Sequence, residues 1–259
     1  MTTNTATSIP LLIPDRSLAW QNDEALIEMV MHQQGWNFEP GLPAEYFHSR
    51  FREHTAWTWN HTRPALPADL ENLTRVIDVG SGLSALDIGL HCLNTSTEFY
   101  LVDRDIVNYG STGLFYNNTT NPDNFYNSWA VVDDLLANSP GVDAGKFTKL
   151  SPDDSWPTEV DLVVSHQSWC WHYPKERYWS KLLSSLKIGG TLILDVLNQP
   201  DRDVVAEINE SMGSTAQCLE LHYTSESDAF YSQFTLKDCL HGNHMDKSHG
   251  GYYYWTRTR

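Results

Sequence analysis

The sequence predicts an α/β fold in which a mostly parallel sheet is covered by helices on both faces. From about residue 71, short apolar runs typical of buried strands alternate with amphipathic helical patterns, as in parallel sheets. The chain ends differently, with two strand-like stretches, 217–224 and 252–258, that lack a long helix between them. This ending predicts an antiparallel pair at one edge of the sheet.

The elements of this region follow one another in a regular order. The first strand, 75–79, leads into a helix that begins near Leu83. A second long helix is predicted over 175–188, where apolar residues recur at helical spacing. The remaining central strands are predicted at 98–103, 147–150, 160–165 and 189–197.

The first 70 residues predict a helical appendage. Apolar residues at helical spacing predict a helix over 23–34, and a second helix is predicted over 43–57. Pro64 and Pro67 then interrupt the chain. We therefore divide the sequence into an N-terminal appendage or lid, residues 1–70, and a main domain, residues 71–259.

The charge of the chain argues against several classes of partner. The formal net charge is −16, which disfavours nucleic acid and anionic membrane surfaces, because both require clustered basic residues. The four cysteines are scattered without metal-ligand spacing, and the N-terminus lacks the pattern of a signal peptide. We expect a cytoplasmic protein with a small-molecule partner; the sequence does not indicate an oligomeric state.

A glycine-rich turn in the stretch RVIDVGSGLSALDIGL, residues 75–90, predicts a nucleotide site. Gly80 and Gly82 allow a tight turn and close approach of a ligand, and the following helix begins with free amide donors. Asp103 ends the next strand, 21 residues after Gly82, where an acid typically binds ribose hydroxyls. The turn fits both a dinucleotide site, since GSGLSA matches G-x-G-x-x-A, and an S-adenosylmethionine site.

The acid that precedes this turn favours the second cofactor. Asp78 stands two residues before Gly80, and its carboxylate would repel a pyrophosphate but attract the ammonium and sulfonium of adenosylmethionine. A nicotinamide enzyme also generally needs a substrate domain, for which about 70 preceding residues are few. An NAD-dependent oxidoreductase and a non-catalytic binding protein of the same fold remain the alternatives.

Four segments in order, VIDVGSGLS, FYLVDRD, DLVVSH and LKIGGTLILDV, resemble class I S-adenosylmethionine-dependent methyltransferases over about residues 71–258. The resemblance implies a Rossmann-like sheet of seven strands, six of them parallel and the last antiparallel. A narrower resemblance, carried by SHQSWCWHYP, is to a group described as sugar O-methyltransferases. The family therefore implies adenosylmethionine as the cofactor and methyl transfer as the reaction.

The resemblance also implies a role for individual residues. Asp78, Gly80 and Gly82 would contact the amino-acid part of the cofactor, and Asp103 would hold its ribose. Asp153 or Asp154, after the third strand, would lie near the adenine amine. The cofactor site is completed by two serines, of which one replaces a frequent third glycine and the other ends the fourth strand: Ser84 and Ser165.

The loop SHQSWCWHYP, residues 165–174, follows the fourth strand and is predicted to border both cofactor and acceptor. Methyl transfer to a hydroxyl needs a group that takes its proton, and histidine does this at neutral pH. His172, and after it His166, are the candidate bases for O-methylation of a sugar-like or aromatic hydroxyl. The alternative is that either histidine packs or caps the next helix.

Two pairs of tryptophans are candidates for substrate binding. Trp169 and Trp171 alternate in this loop, and Trp57 and Trp59 do so in the appendage. Flat aromatic faces bind sugar or aromatic rings; the alternative is that these tryptophans belong to the core.

A histidine-rich stretch near the C-terminus, HGNHMDKSHG, suggests either a metal site or a polar loop. Its candidate ligands are His241, His244, Asp246 and His249. They lie in a glycine-bounded loop, and the fourth strand ends in Ser165 and His166 where a metal-dependent methyltransferase would place an acid. We therefore expect a polar loop, no bound metal, and metal-independent chemistry.

Overall fold

The computed structural model describes residues 69–104, 128–166, 175–197, 206–208, 216–221 and 250–257, and single residues elsewhere, most of them between 46 and 67. The strands are β1 (Arg75–Val79), β2 (Glu98–Val102), β3 (Phe147–Leu150), β4 (Val160–Ser165), β5 (Leu186–Leu197), β6 (Ala216–Leu221) and β7 (Gly250–Arg257). The helices within 69–197 are α1 (Ala85–Leu93), α2 (Trp129–Asn138) and α3 (Glu176–Ser185), with 3-10 turns at Leu70–Asn72 and Ala144–Lys146.

The strands form one sheet in the order β3-β2-β1-β4-β5-β7-β6. The first five strands pair in parallel, whereas β7 runs antiparallel to both β5 and β6. The prediction of a mixed α/β fold with a mostly parallel sheet and an antiparallel edge is therefore confirmed.

Helices cover both faces of the sheet. Successive residues of a strand point to opposite faces, so each strand contributes to two buried clusters. In β1, Val76 belongs to one buried cluster, whereas Ile77 and Val79 belong to the other. The first cluster includes apolar residues of α1 and α2, and the second includes Tyr178 and Leu182 of α3.

The strand order places a crevice above the carboxyl ends of β1 and β4. From β1, the strands β2 and β3 follow on one side of the sheet. The strands β4 and β5 follow on the other side. Ligands of open α/β sheets bind where the order reverses in this way. Hydrogen bonds continue just beyond the strands here, from the Gly80 amide to the Val102 carbonyl at 2.8 Å and from the Asp103 amide to the Leu150 carbonyl at 3.0 Å.

At the opposite end of the central strands, β1 and β4 are joined by a buried acid that has hydrogen-bond partners. Asp161 accepts from the Thr74 amide and hydroxyl, both at 2.7 Å, and from the Arg75 amide at 2.8 Å, and it pairs with Lys187. Burial alone would raise the pKa of this carboxyl, but Lys187 and the hydrogen bonds outweigh burial and hold the pKa below its usual value.

Some elements differ from the sequence predictions. The sequence analysis placed no element at α2, although its residues 131, 132, 135 and 136 have helical spacing and are buried. The helix predicted over 175–188 ends at Ser185, because the backbone becomes extended at Leu186, which pairs with Val160 ahead of a register shift in β4–β5. The predicted helix 23–34 lies outside the described residues.

Some of the described residues of the appendage pack against the sheet. Those between 46 and 62 are helical, and Trp59 and Leu66 are buried in the first cluster with sheet residues. The division at residue 70 remains a prediction. None of the helices that the structure describes is long and apolar enough to cross a bilayer.

Candidate functional site

The turn between β1 and α1 has a backbone that requires small residues. Gly80, Gly82 and Ser84 all have positive φ, at 74°, 52° and 55°. A β-carbon on Gly80 would also overlap the Ser168 side chain in the loop after β4. Glycine is therefore required at position 80 both for backbone conformation and for space.

Asp103 fixes this turn from the end of β2. Its carboxylate accepts a hydrogen bond from the Gly82 amide at 3.2 Å and another from the Arg104 amide at 2.8 Å. The side chain is buried. Burial raises the pKa of Asp103 to about 7, although both hydrogen bonds oppose the shift.

A second buried acid faces Asp78 from α1. Asp87 is fully buried, and neither of its carboxylate oxygens has a hydrogen-bond donor among the described residues. It lies close enough to Asp78 for the two carboxyls to share a hydrogen bond when one is protonated. Burial raises the pKa of Asp87 to about 7; burial, Asp87 and Asp103 raise the pKa of Asp78 well above its usual value.

The loop after β4 is held against β1 by a serine. The Ser165 hydroxyl donates to the Val79 carbonyl at 2.7 Å and accepts from the Trp169 amide at 3.0 Å. Because this hydroxyl is fully buried and its proton is already donated, the contacts favour a structural role for Ser165 beside the site.

His166 contacts the helical segment that precedes the sheet. Its Nε2 lies 3.2 Å from the Thr62 hydroxyl, which itself donates to the Thr58 carbonyl at 2.7 Å. Since the Thr62 proton is committed to Thr58, its oxygen accepts from His166. This assignment puts a ring proton of His166 on Nε2.

The fold has clear counterparts among solved structures. Residues 942–1257 of StiE, described as an O-methyltransferase, align at a TM-score of 0.51 and 13% identity, covering 91% of both chains. The fold is that of a class I methyltransferase. No protein-family model matches the sequence, and no curated protein matches it.

Two other structures align at lower scores. The O-methyltransferase TomG from Streptomyces achromogenes, solved with S-adenosylmethionine, has a TM-score of 0.44 and 12% identity, over 92% of this chain and 91% of TomG. An rRNA methylase from Streptococcus thermophilus also reaches 0.44, with 9% identity over 79% of this chain and 96% of its own. The reaction of this chain must be argued from its own site.

The methyltransferase fold brings several of the predicted cofactor residues together. Asp78, Gly80, Gly82 and Asp103 meet at the carboxyl ends of β1 and β2, and Ser84 begins α1 beside them. The Ser84 hydroxyl is buried without a hydrogen-bond partner among the described residues.

The two predicted adenine-site acids lie in the turn after β3. Asp153 is exposed and pairs with Arg104 at 2.6 Å. Asp154 accepts from the Ser151 amide at 2.7 Å and so stabilises the turn itself. Their place beside Arg104 suits the predicted region, although both side chains are engaged by protein groups.

The two predicted substrate-binding tryptophans that the structure describes, Trp169 and Trp59, lie in the core. Trp169 is fully buried and packs edge-on against Tyr178, with ring centroids 5.6 Å apart. Trp59 is 6% exposed. A stacking platform needs an open ring face, so these positions favour the packing role for both side chains. Trp57, Trp171 and His172 lie outside the described residues.

The predicted histidine-rich loop also lies outside the described residues. Among the residues that are described, no group of three or more histidine, cysteine, aspartate or glutamate side chains could hold a metal ion.

Two site residues escaped the sequence analysis. The signal for Asp87 is an acid in the middle of the apolar run Leu86–Leu90, since charged residues are rarely buried without a reason. Thr62 gave no local signal, because its partner His166 is 104 positions away.

Replacing Thr62 with valine is expected to change the tautomer of His166. Valine keeps the shape but removes the acceptor for Nε2–H. Nitrogen NMR of the histidine ring should show Nε2–H in the wild type and a mixture in Thr62→Val. Thr62→Ser, which keeps the hydroxyl, is the matched control and should resemble the wild type. An unchanged spectrum in the valine variant would contradict the assignment.

Proposed function

We propose that the chain is an S-adenosylmethionine-dependent methyltransferase that methylates a hydroxyl of a small molecule without a metal. The observation that carries the proposal is the glycine turn flanked by Asp78 and Asp103 at the point where the strand order reverses. Partly unsatisfied acids suit a cofactor that carries an ammonium and ribose hydroxyls. The alternative, a dinucleotide, would bring a pyrophosphate to three buried carboxyl groups.

The residues of the turn fit such a cofactor. Gly80 and Gly82 leave backbone exposed for a close approach, and Asp103 ends β2 with a carboxylate for ribose hydroxyls. Asp78 and the hydroxyls of Ser81 and Ser84 are buried and retain unused hydrogen-bonding capacity within the described structure. These groups would hold the amino-acid part of the ligand.

When bound, adenosylmethionine supplies a methyl group activated by a sulfonium, so the protein mainly aligns the reactants and removes a proton. We propose His166, which follows β4 and contacts Thr62 through Nε2, as one candidate for the proton acceptor. His172 is the second candidate. The base takes the proton of the acceptor hydroxyl while its oxygen attacks the methyl carbon.

The acceptor class rests on the charge of the chain and on the histidine. A net charge of −16 disfavours nucleic acid and anionic membranes, and a general base is needed for a hydroxyl of ordinary acidity. We therefore favour a sugar-like or phenolic small molecule and a cytoplasmic enzyme, with residues 1–70 acting as a lid over the acceptor.

Calorimetry with adenosylmethionine and with NAD⁺ tests the cofactor assignment. We expect binding of the first and none of the second. Formation of adenosylhomocysteine with a panel of phenols and sugars then tests catalysis. Binding of NAD⁺ instead would overturn the proposal, and cofactor binding without product from any hydroxyl compound would favour a non-catalytic protein.

Replacing Asp103 with alanine is expected to weaken adenosylmethionine binding by about 1.5–3 kcal/mol, the usual range for hydrogen bonds to a charged group. Calorimetry measures the loss. Asp133→Ala also removes an acid, but from the exposed face of α2, where it pairs with Lys149, and it should bind normally. Unchanged affinity in folded Asp103→Ala would remove Asp103 from the site.

A further inference from the structure

The Asp78–Asp87 pair has no compensating positive charge in the described structure. Asp78 is the penultimate residue of β1, next to the turn, and Asp87 lies in the first turn of α1. Asp87 and, from the end of β2, Asp103 both raise the pKa of Asp78. No described lysine, arginine or histidine forms an ion pair with Asp78 or Asp87. Two buried carboxylates side by side cannot both be ionised at low cost.

A second observation points to a ligand at this place. The turn that joins the two acids carries the hydroxyls of Ser81 and Ser84, both buried and both without a hydrogen-bond partner among the described residues. Buried polar groups are normally paired. Acids and hydroxyls left unsatisfied in one turn form a surface that a polar cation would complete.

We infer that Asp78 and Asp87 together bind the α-ammonium group of the cofactor, sharing a proton while the site is empty and releasing it when the ammonium binds. The inference rests on the proposed function and adds Asp87 to its site. The proton passes from the carboxyl pair to solvent, and the positive charge of the ligand replaces it. The pair then carries one more negative charge, now balanced by the ammonium.

The coupling predicts a direction for the pH dependence of binding. A proton that must leave on binding weakens the affinity at low pH, by up to about tenfold for each pH unit. Affinity should therefore rise between about pH 5.5 and 7, where the ligand amine, with a pKa near 7.7–8.0, stays charged. Asp103 titrates in the same range and binds the ribose, so the test must separate its proton from that of the pair.

Two ligands make this separation. S-adenosylhomocysteine carries the amino-acid part, whereas 5′-methylthioadenosine has the same nucleoside but lacks it. Calorimetry at pH 6.5 in buffers of different ionisation enthalpy counts the protons released by each. We expect adenosylhomocysteine to release more, by up to about one proton, because any contribution of Asp103 is common to both ligands.

Asp87→Asn tests which acid holds the proton. The amide donates permanently to Asp78, so the difference between the two ligands should disappear. Asp133→Asn, the charge-matched control on α2, should keep the difference. Removal of a buried acid should also raise the melting temperature of the ligand-free protein more at pH 8 than at pH 5.5, because the raised pKa of Asp87 destabilises the fold increasingly as the pH rises from the unfolded value, about 3.9, to about 7.

The outcomes are distinct. Equal proton counts for the two ligands in the wild type, which needs no variant to fold, would overturn the inference alone. A difference that persists in Asp87→Asn would overturn the role of Asp87. If the wild type binds neither ligand, the proposed function fails and the inference fails with it.

Discussion

Replacing His166 with alanine is expected to lower the rate of methyl transfer by about 10²–10⁴-fold, the usual contribution of a general base. The proposed cofactor site is built around the turn after β1 and does not include His166, so the affinity for adenosylmethionine should be nearly unchanged. Adenosylhomocysteine formation, measured with the best hydroxyl acceptor from the panel, gives the rate. In the wild type, this rate should rise with pH as the base loses its proton.

His166→Gln is the matched variant for this experiment. Its amide can still contact Thr62 but cannot take a proton, so it should be about as slow as the alanine variant. If both variants turn over normally, His166 does not act as the base. His172→Ala then becomes the deciding variant, and loss of activity there would move the role within the same loop.

Replacing Gly80 with alanine is expected to weaken cofactor binding by about 5- to 150-fold. The methyl group is added to the turn that we propose the cofactor approaches; overlap costs of about 1–3 kcal/mol are typical, and 1.4 kcal/mol corresponds to tenfold in affinity. The variant should also be less stable, because its φ of 74° strains any L-residue and its β-carbon meets Ser168. Calorimetry and thermal melting measure the two effects.

Two controls separate these effects. Gly141 has a φ of 78° and open space around it, so Gly141→Ala should cost only the backbone strain, about 1–2 kcal/mol, and should bind normally. Adding Ser168→Gly to Gly80→Ala removes the internal overlap and should restore part of the stability, leaving the strain of the positive φ, without restoring binding. If this double variant binds at wild-type strength, the cofactor does not approach the chain at Gly80.

The central part of the fold was predictable because its signals are local. Buried strands such as 75–79 and 160–165 are visible in the sequence as apolar runs. The helical patterns between the strands predict that they pair in parallel. The change from helix to strand at Leu186 could not be read in this way, because it depends on a register shift against β4. Apolar residues there suit either element.

The candidate site was predictable only where backbone requirements leave a mark on the sequence. Gly80 has a positive φ, and Asp103 follows a strand, so both stand out in the printed sequence. Asp87 does not, since an acid in a helix is generally taken to face solvent. The burial of Trp169 could not be predicted either, because aromatic residues occur both in cores and on binding surfaces.

The buried acids at the two ends of β1 and β4 differ in how many hydrogen-bond partners they have. At one end, Asp161 accepts hydrogen bonds from backbone amides and pairs with Lys187, so these contacts stabilise the folded domain. At the other, both oxygens of Asp87 and Oδ1 of Asp78 are buried without a hydrogen-bond partner among the described residues. We expect a ligand that supplies the missing charge to stabilise the domain by its binding free energy.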